Sequence, residues 1–414
     1  MANHTTGIGV VRGAALYIGA LLGPGLLLLP GLAVARAGPA SVVAWGGLLG
    51  VSALFAVVFA ALGVRYPTAG GVRAYAEAGL GPRAGTAVAW CFLAGVVTGA
   101  PIVCVIGGNY VAELTGGGTR TAAGTAGLLL LATIAVARRG VRTSATVQFG
   151  LVVLLLIIVV GGVAGAAPDS DPANWRPFAP HGWAAIGSAA ASLMLAFVGW
   201  EAIAPLTGRF ARPRTQLPVV IGIAFATTAA VYLALGVVTV AALGPAGATD
   251  VPLAALLRRA VGPGGTAVAA VGALVLTGGA VVAYLSGAAA LVATGTAPRL
   301  FAIVVGVGVA SIGLMSAGAL PLATLVTVPT AFFLVVYLVC MAAAWRLLRG
   351  PARAAAAAGG AVVVIVLAFI GYALLPAACV TAAALAWDRI PGRRRMRRLP
   401  TCGMSGSRCS SSGP

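Results

Sequence analysis

The sequence predicts an all-α polytopic membrane protein with about 12 transmembrane helices, and three observations predict it. Of 414 residues, 60% are hydrophobic and only 8% charged, with a mean hydropathy of +1.06; a soluble domain carries about 25% charged residues. Apolar runs that approach or exceed the roughly 20 residues needed to cross a bilayer recur along nearly the whole chain. The net charge of +19 comes from 26 basic residues, all of them arginine, set in short loops between those runs. That placement fits a topology signal and excludes a nucleic-acid surface. The lack of lysine also excludes a retinal Schiff-base pump, which needs one buried in the membrane.

The opening MANHTTGIGVVRGAALY lacks a basic stretch followed by a small-residue cleavage site, and reads as a short cytoplasmic lead-in. Hydropathy and length then place spans at roughly 13–35 and 40–62, followed by a loop carrying Arg65, Arg73 and Arg83. Spans 85–112 and 121–137 lead to Arg138, Arg139 and Arg142. Span 145–167 precedes an external, turn-rich loop, 168–182, with Asp169, Asp171, Trp175 and His181. Span 185–207 leads to Arg209, Arg212 and Arg214. Span 217–243 leads to a second external loop, 244–265, whose stretch from Val251 to Val261 reads as a short interfacial helix. Spans 266–294, 300–320, 325–347, 356–372 and 373–388 follow.

The last two spans could instead be one long helix, and arginine placement decides between the two. Twelve spans put 21 arginines on the side of the N-terminus and five (Arg36, Arg120, Arg176, Arg258, Arg259) on the other. Merging the final pair leaves 14 against 12 and erases the positive-inside bias. Both termini are therefore expected in the cytoplasm. The basic tail, 391–414, is expected to be disordered at its Ser/Gly end and to lie against anionic inner-leaflet lipid. Cys91, Cys104, Cys340 and Cys379 fall in spans and Cys402 and Cys409 in the tail, so they form no disulfide framework.

Two interruptions carry the functional signal. Span one reads GALLGPGLLLLPG over 19–31. Continuing a helix through Gly23-Pro24-Gly25 costs about 5 kcal/mol, roughly 1 per glycine and 3 for proline. In lipid such a break survives only where it faces protein or a watery cavity. Span six carries Gly199 and Pro205 on either side of Glu201. Of the seven acids, only Glu201 lies within a span, where an ionised group costs about 2.5–3.5 kcal/mol and normally faces a pathway or partner; a neutral Glu in a structural hydrogen bond is the alternative. Spans one and six open two five-span halves, and interruptions at corresponding positions of two halves point to a transporter site. Free N–H groups after Gly25 suit a carboxylate, and free carbonyls near Phe197 suit an ammonium. No His/Cys/Asp/Glu grouping has metal-ligand spacing, and no cofactor is expected.

These residues also carry a resemblance. GALLGPGLLLLPG resembles the Gly-x-Gly first-span motif of the amino acid–polyamine–organocation superfamily. RYPTAGGVRAYAEAGLG over 65–81 resembles its loop between spans two and three, and FVGWEA over 197–202 with FARPRTQLP over 210–218 resembles its sixth span and the loop beyond. Within that superfamily the sequence is most similar to bacterial exporters of methionine and branched-chain amino acids, including FFLVVYLVCMAAAWRLLRG over 332–350. The resemblance covers about 8–388. It implies a five-plus-five inverted-repeat core within 1–347 (halves at about 13–167 and 185–347), with discontinuous helices one and six, then two further helices within 348–390. Spans one, three, six, eight and ten would surround a central pocket. Gly23 and Gly25 would touch the substrate carboxylate, with Pro24 between them, and carbonyls from Phe197 to Gly199 its amine. Trp200 is a candidate for the side-chain pocket, Tyr284 matches an aromatic pocket position, and Glu201 matches an acid linked to proton coupling. Two positions depart from the pattern: Arg209 stands where an acid usually precedes the residue matching Phe210, and Pro24 replaces a small polar residue.

The resulting expectation is a proton-coupled secondary transporter of small neutral, hydrophobic amino acids in the bacterial cytoplasmic membrane, with amino acid, proton and lipid as its partners. Uptake or exchange of other amino acids or amines, and a non-transporting partner subunit, are the alternatives. An intramembrane enzyme is excluded by the lack of a buried nucleophile–base constellation.

Overall fold

A computed structural model of the chain describes residues 8–68, 70–139, 145–201, 204–292 and 296–387. The basic-tail expectation for 391–414 lies outside the described residues. Each of the twelve expected spans has a helical counterpart. Span one is α1 (Val10–Leu21) and α2 (Gly25–Ala37), and span two is α3 (Ser41–Arg65). A short helix, α4 (Gly71–Leu80), precedes α5 (Pro82–Thr115), α6 (Gly118–Arg138) and α7 (Ala145–Ala166). Span six begins as α8 (Ala185–Leu193), and span seven is α9 (Pro213–Val238). After α10 (Pro252–Val261) come α11 (Gly264–Leu291), α12 (Ala297–Ser316), α13 (Leu322–Leu347), α14 (Pro351–Ile370) and α15 (Leu374–Trp387). Nine segments among the described residues are long and apolar enough to cross a membrane. Two of these, 25–65 and 351–386, run through more than one α-helix, and α1 and 185–197 are shorter apolar pieces.

The doubtful final pair is two helices. Gly371 ends α14 with φ +65°, a left-handed conformation open chiefly to glycine. Beyond it the helices take different neighbours: α14 packs on α3 and α8, α15 on α5, and both on α13.

The hub is α5, packed against α4, α6, α11, α12, α13 and α15. Association of helices in lipid relies on close packing through small residues rather than on hydrophobic driving force, and α5 shows why. A Cβ on Gly107 would lie 2.7 Å from Thr277 Oγ1, and one on Gly108 would overlap the Ala122 carbonyl. The stretch expected as an interfacial helix is α10, but it buries Leu253, Ala254, Leu256 and Leu257 against protein and not lipid, packing on α7 and α11. Arg258 and Arg259 remain on its exposed face.

Candidate functional site

Both breaks form, and their backbones touch. Leu22 caps α1 with its N–H on the Ile18 carbonyl, and the chain restarts with Pro24 at the N-cap of α2. Pro24 therefore sits where no intrahelical amide bond is possible and where a fixed φ, here −61°, suits a helix start. Leu26 and Leu27 turn their amides onto the Gly23 and Pro24 carbonyls. In span six, α8 tightens into a 3₁₀ turn, Met194–Phe197, then opens at Val198. Gly199 has φ +152°, and a Cβ there would stand 2.6 Å from the Ala20 carbonyl oxygen and 2.9 Å from its carbon. The second break thus lies directly against the end of α1. The chain resumes as a short 3₁₀ segment, Ala204–Arg209, in place of the α-helix expected to run to 207.

A chain leaving a helix in an apolar interior strands its last carbonyls. Here buried tyrosines from two other helices reach them, a third meets the first turn of α2, and sequence reading missed all three. Tyr232 of α9 lies between two stranded groups, 3.0 Å from the Leu21 carbonyl and 3.2 Å from that of Ala196, so it ties the two breaks together. Tyr337 of α13 donates to the Phe197 carbonyl at 3.0 Å and stands 2.5 Å from Glu201 Oε2. The same hydroxyl accepts from the Gly199 and Trp200 amides at 3.3 and 3.2 Å. Tyr110 of α5 donates to the Leu27 carbonyl at 2.7 Å. A usable signal existed in the sequence: a tyrosine in an apolar span must find a partner for its hydroxyl, and broken helices supply free carbonyls.

Two cavities adjoin the breaks. A chamber of about 70 Å³ is enclosed by the first break (Gly23, Pro24, Gly25), α5, the span-six turn (Leu195, Ala196, Val198), α11 and α13, with Tyr232 at its edge. These are spans one, three, six, eight and ten. Its walls are apolar, including Ile102, Val103, Val198 and Phe333. A larger cavity of about 220 Å³ lies between α1, α7 and α11. It is bordered by the second half of α1 and the break itself, the first half of α7 and the second half of α11, which places it to one side of the chamber. Gly23, Pro24 and Tyr284 border both.

The expected site residues therefore divide. Gly23, Pro24, Gly25 and Tyr284 face the cavities. Phe197, Gly199, Trp200 and Glu201 border neither and stand behind the wall. The Phe197 carbonyl is not free, because Tyr337 holds it. Trp200 is fully buried with its indole donating to Ser52 Oγ at 3.1 Å, so it anchors span six to α3 and borders neither of these two cavities. Glu201 is 1% exposed. Its Oε2 accepts the Gly199 amide at 2.8 Å, while Oε1 has no hydrogen-bond partner among the described residues. Arg209, one of the two departures from the expected pattern, is exposed, and its carbonyl accepts the Ile8 amide at 3.0 Å.

Broken helices that meet in the middle of a polytopic membrane protein and offer backbone polarity to an apolar chamber define a membrane transporter. The chain belongs to the amino acid permease family, whose pattern matches residues 8–390. It is 31% identical over 411 residues to the uncharacterized amino acid permease YecA of Bacillus subtilis, covering 94% of this chain and 96% of that one. It is 29% identical over 416 residues to the L-methionine/branched-chain amino acid exporter YjeH of Escherichia coli, again over 94% and 96%. A shorter similarity, 26% over 254 residues, 56% of this chain and 52% of the relative, links it to the methylthioribose transporter of Bacillus subtilis. A permease moves its substrate without altering covalent bonds, so the protein is not an enzyme.

Proposed function

We propose that this permease exports small neutral amino acids with hydrophobic side chains, coupled to protons, from the cytoplasm across the bacterial inner membrane. The observation that carries this reading is the chamber, apolar in its walls and without a charged lining side chain among the described residues. A cationic side chain would need a buried counter-charge there. The Gly23 and Gly25 amides, at the start of α2, receive the carboxylate, favoured by the helix dipole. The ammonium is assigned to the Leu21 and Ala196 carbonyls in place of those from Phe197 to Gly199, because Leu21 and Ala196 both border the chamber. There the ammonium competes with the Tyr232 hydroxyl. A chamber of about 70 Å³ holds little beyond such a side chain.

The full-length exporter relative supports the direction. So does the larger cavity: with the N-terminus inside, α1, which it borders, is the cytoplasmic half of span one, so substrate loads from the cytoplasm. Glu201 carries the proton, since a carboxyl in a low-dielectric site changes charge only at a cost that binding elsewhere can shift. Counterflow of labelled methionine, leucine and arginine in proteoliposomes across a pH series tests the reading. Methionine and leucine should exchange and arginine should not. Replacing Glu201 with Gln should flatten the pH profile, and a Glu201→Gln protein with the wild-type profile removes the proton role. A protein that exchanges no amino acid supports a non-transporting partner subunit.

A further inference from the structure

Glu201 borders neither cavity, so a proton reaching it must travel by another route. Two lines of side chains lead away from it and converge on α4. Along α13, Tyr337 touches Glu201 and Cys340 follows one turn later on the same face. One further turn on, α13 meets α4 backbone to backbone, a Cβ on Gly79 standing 2.7 Å from Ala343 Cα. Along span six, Pro205 packs on Gly71 at the start of α4. Thr207 Oγ1 accepts the Thr68 amide at 3.2 Å and donates to the Ala204 carbonyl at 2.9 Å. Helix α4 thus bridges α13 and the resumed sixth span. The side chain it presents inward is Tyr75, four residues before Gly79 on the same face and 1% exposed.

The Tyr75 hydroxyl makes no well-formed hydrogen bond among the described residues. The Thr207 hydroxyl is near enough to hydrogen-bond it, and the Cys340 thiol is within electrostatic reach. Cys340 is in turn within reach of Glu201. Glu201 Oε1 and Tyr75 Oη, two buried oxygens without a well-formed hydrogen bond among the described residues, both belong to groups within electrostatic reach of Cys340 on α13. Buried polar atoms in that condition are ordinarily met by ordered water. Thr207, beside Tyr75, accepts the backbone amide of Thr68, which is part-exposed in the loop before α4.

We propose that Glu201 exchanges its proton with the cytoplasm along α4, through Tyr75 and Thr207 to the part-exposed loop at Thr68, by a file of hydroxyls and waters separate from the substrate cavity. Each hydroxyl gives one proton onward as it accepts another, so no charge is left on the file. Burial pushes the Tyr75 hydroxyl up to about 12, which keeps it protonated while it relays. The titratable groups around Glu201 are Tyr337 and Cys340 from α13 and Tyr284 from α11; Tyr75 of α4 is within electrostatic reach of Cys340 and of Tyr17 of α1, whose ring meets Trp200. The two ion pairs among the described residues, Arg73–Glu77, which is part-buried, and Arg258–Glu113, which is exposed, do not include Glu201.

The inference rests on Glu201 as the proton carrier, and the test separates the two. Full-length protein in proteoliposomes with an entrapped pH dye reports substrate-driven proton flux, and labelled-leucine counterflow at fixed pH reports substrate exchange and an intact fold. Tyr75→Phe and Thr207→Val should each slow proton flux by about tenfold or more, with leucine counterflow retained in Tyr75→Phe. Wild-type flux in both variants, with Glu201→Gln abolishing it, overturns the path and leaves Glu201 as the carrier. Unchanged flux in Glu201→Gln overturns both.

Discussion

Gly199 is where the two breaks meet, and Gly199→Ala measures what that contact costs to disturb. Its φ of +152° is a conformation that L side chains rarely adopt, and forcing one there costs roughly 1–2 kcal/mol. The added methyl also meets the Ala20 carbonyl at 2.6 and 2.9 Å and Leu21 Cα at 3.2 Å. All three atoms are backbone, so no rotamer change relieves the overlap. Overpacking of that kind costs about 1–3 kcal/mol, which brings the total to about 2–5 kcal/mol. The alternative is that α1 is pushed away and the chamber loses its wall. Purified protein should show a clear fall in melting temperature together with loss of leucine counterflow. The internal control is Gly46→Ala, since a Cβ there meets nothing within 4 Å, and it should be close to neutral. A Gly199→Ala protein as stable and active as Gly46→Ala would refute the direct contact between the breaks.

Further outcomes follow from the tyrosines and the chamber wall. Tyr337→Phe strands the Phe197 carbonyl and removes a bond to Glu201, which should cost about 1–3 kcal/mol in a denaturation assay. Tyr232→Phe should destabilise by a similar amount while tightening leucine binding severalfold by titration, because the ammonium no longer competes for the Leu21 and Ala196 carbonyls. Gly95→Ala places a methyl 3.0 Å from the Phe333 ring. That ring should tilt into the chamber and shift counterflow preference from leucine toward valine, by a few-fold for about 0.8 kcal/mol per methylene. Arg258→Ala breaks only an exposed 3.3 Å pair with Glu113, and melting temperature should move little, since such pairs are worth about 0–1 kcal/mol.

The sequence by itself determined the fold class, the number of spans and the places where two helices cannot continue. Each of these depends on local composition: apolar length fixes a span in lipid, arginine marks the loops, and Gly23-Pro24-Gly25 and Gly199 forbid regular helix wherever the rest of the chain lies. It also singled out Glu201, because a lone acid in an apolar run is visible without a neighbour. Only the tertiary structure decided who meets the backbone carbonyls at the breaks. Tyr110, Tyr232 and Tyr337 lie on α5, α9 and α13, and reach groups 83, 211 and 140 residues away in the chain. The same is true of Trp200, which spacing alone allowed into the pocket and which packing ties to Ser52. A break announces itself through the residues that make it. The partner that satisfies it is chosen by which helix packs alongside, and no local pattern encodes that choice.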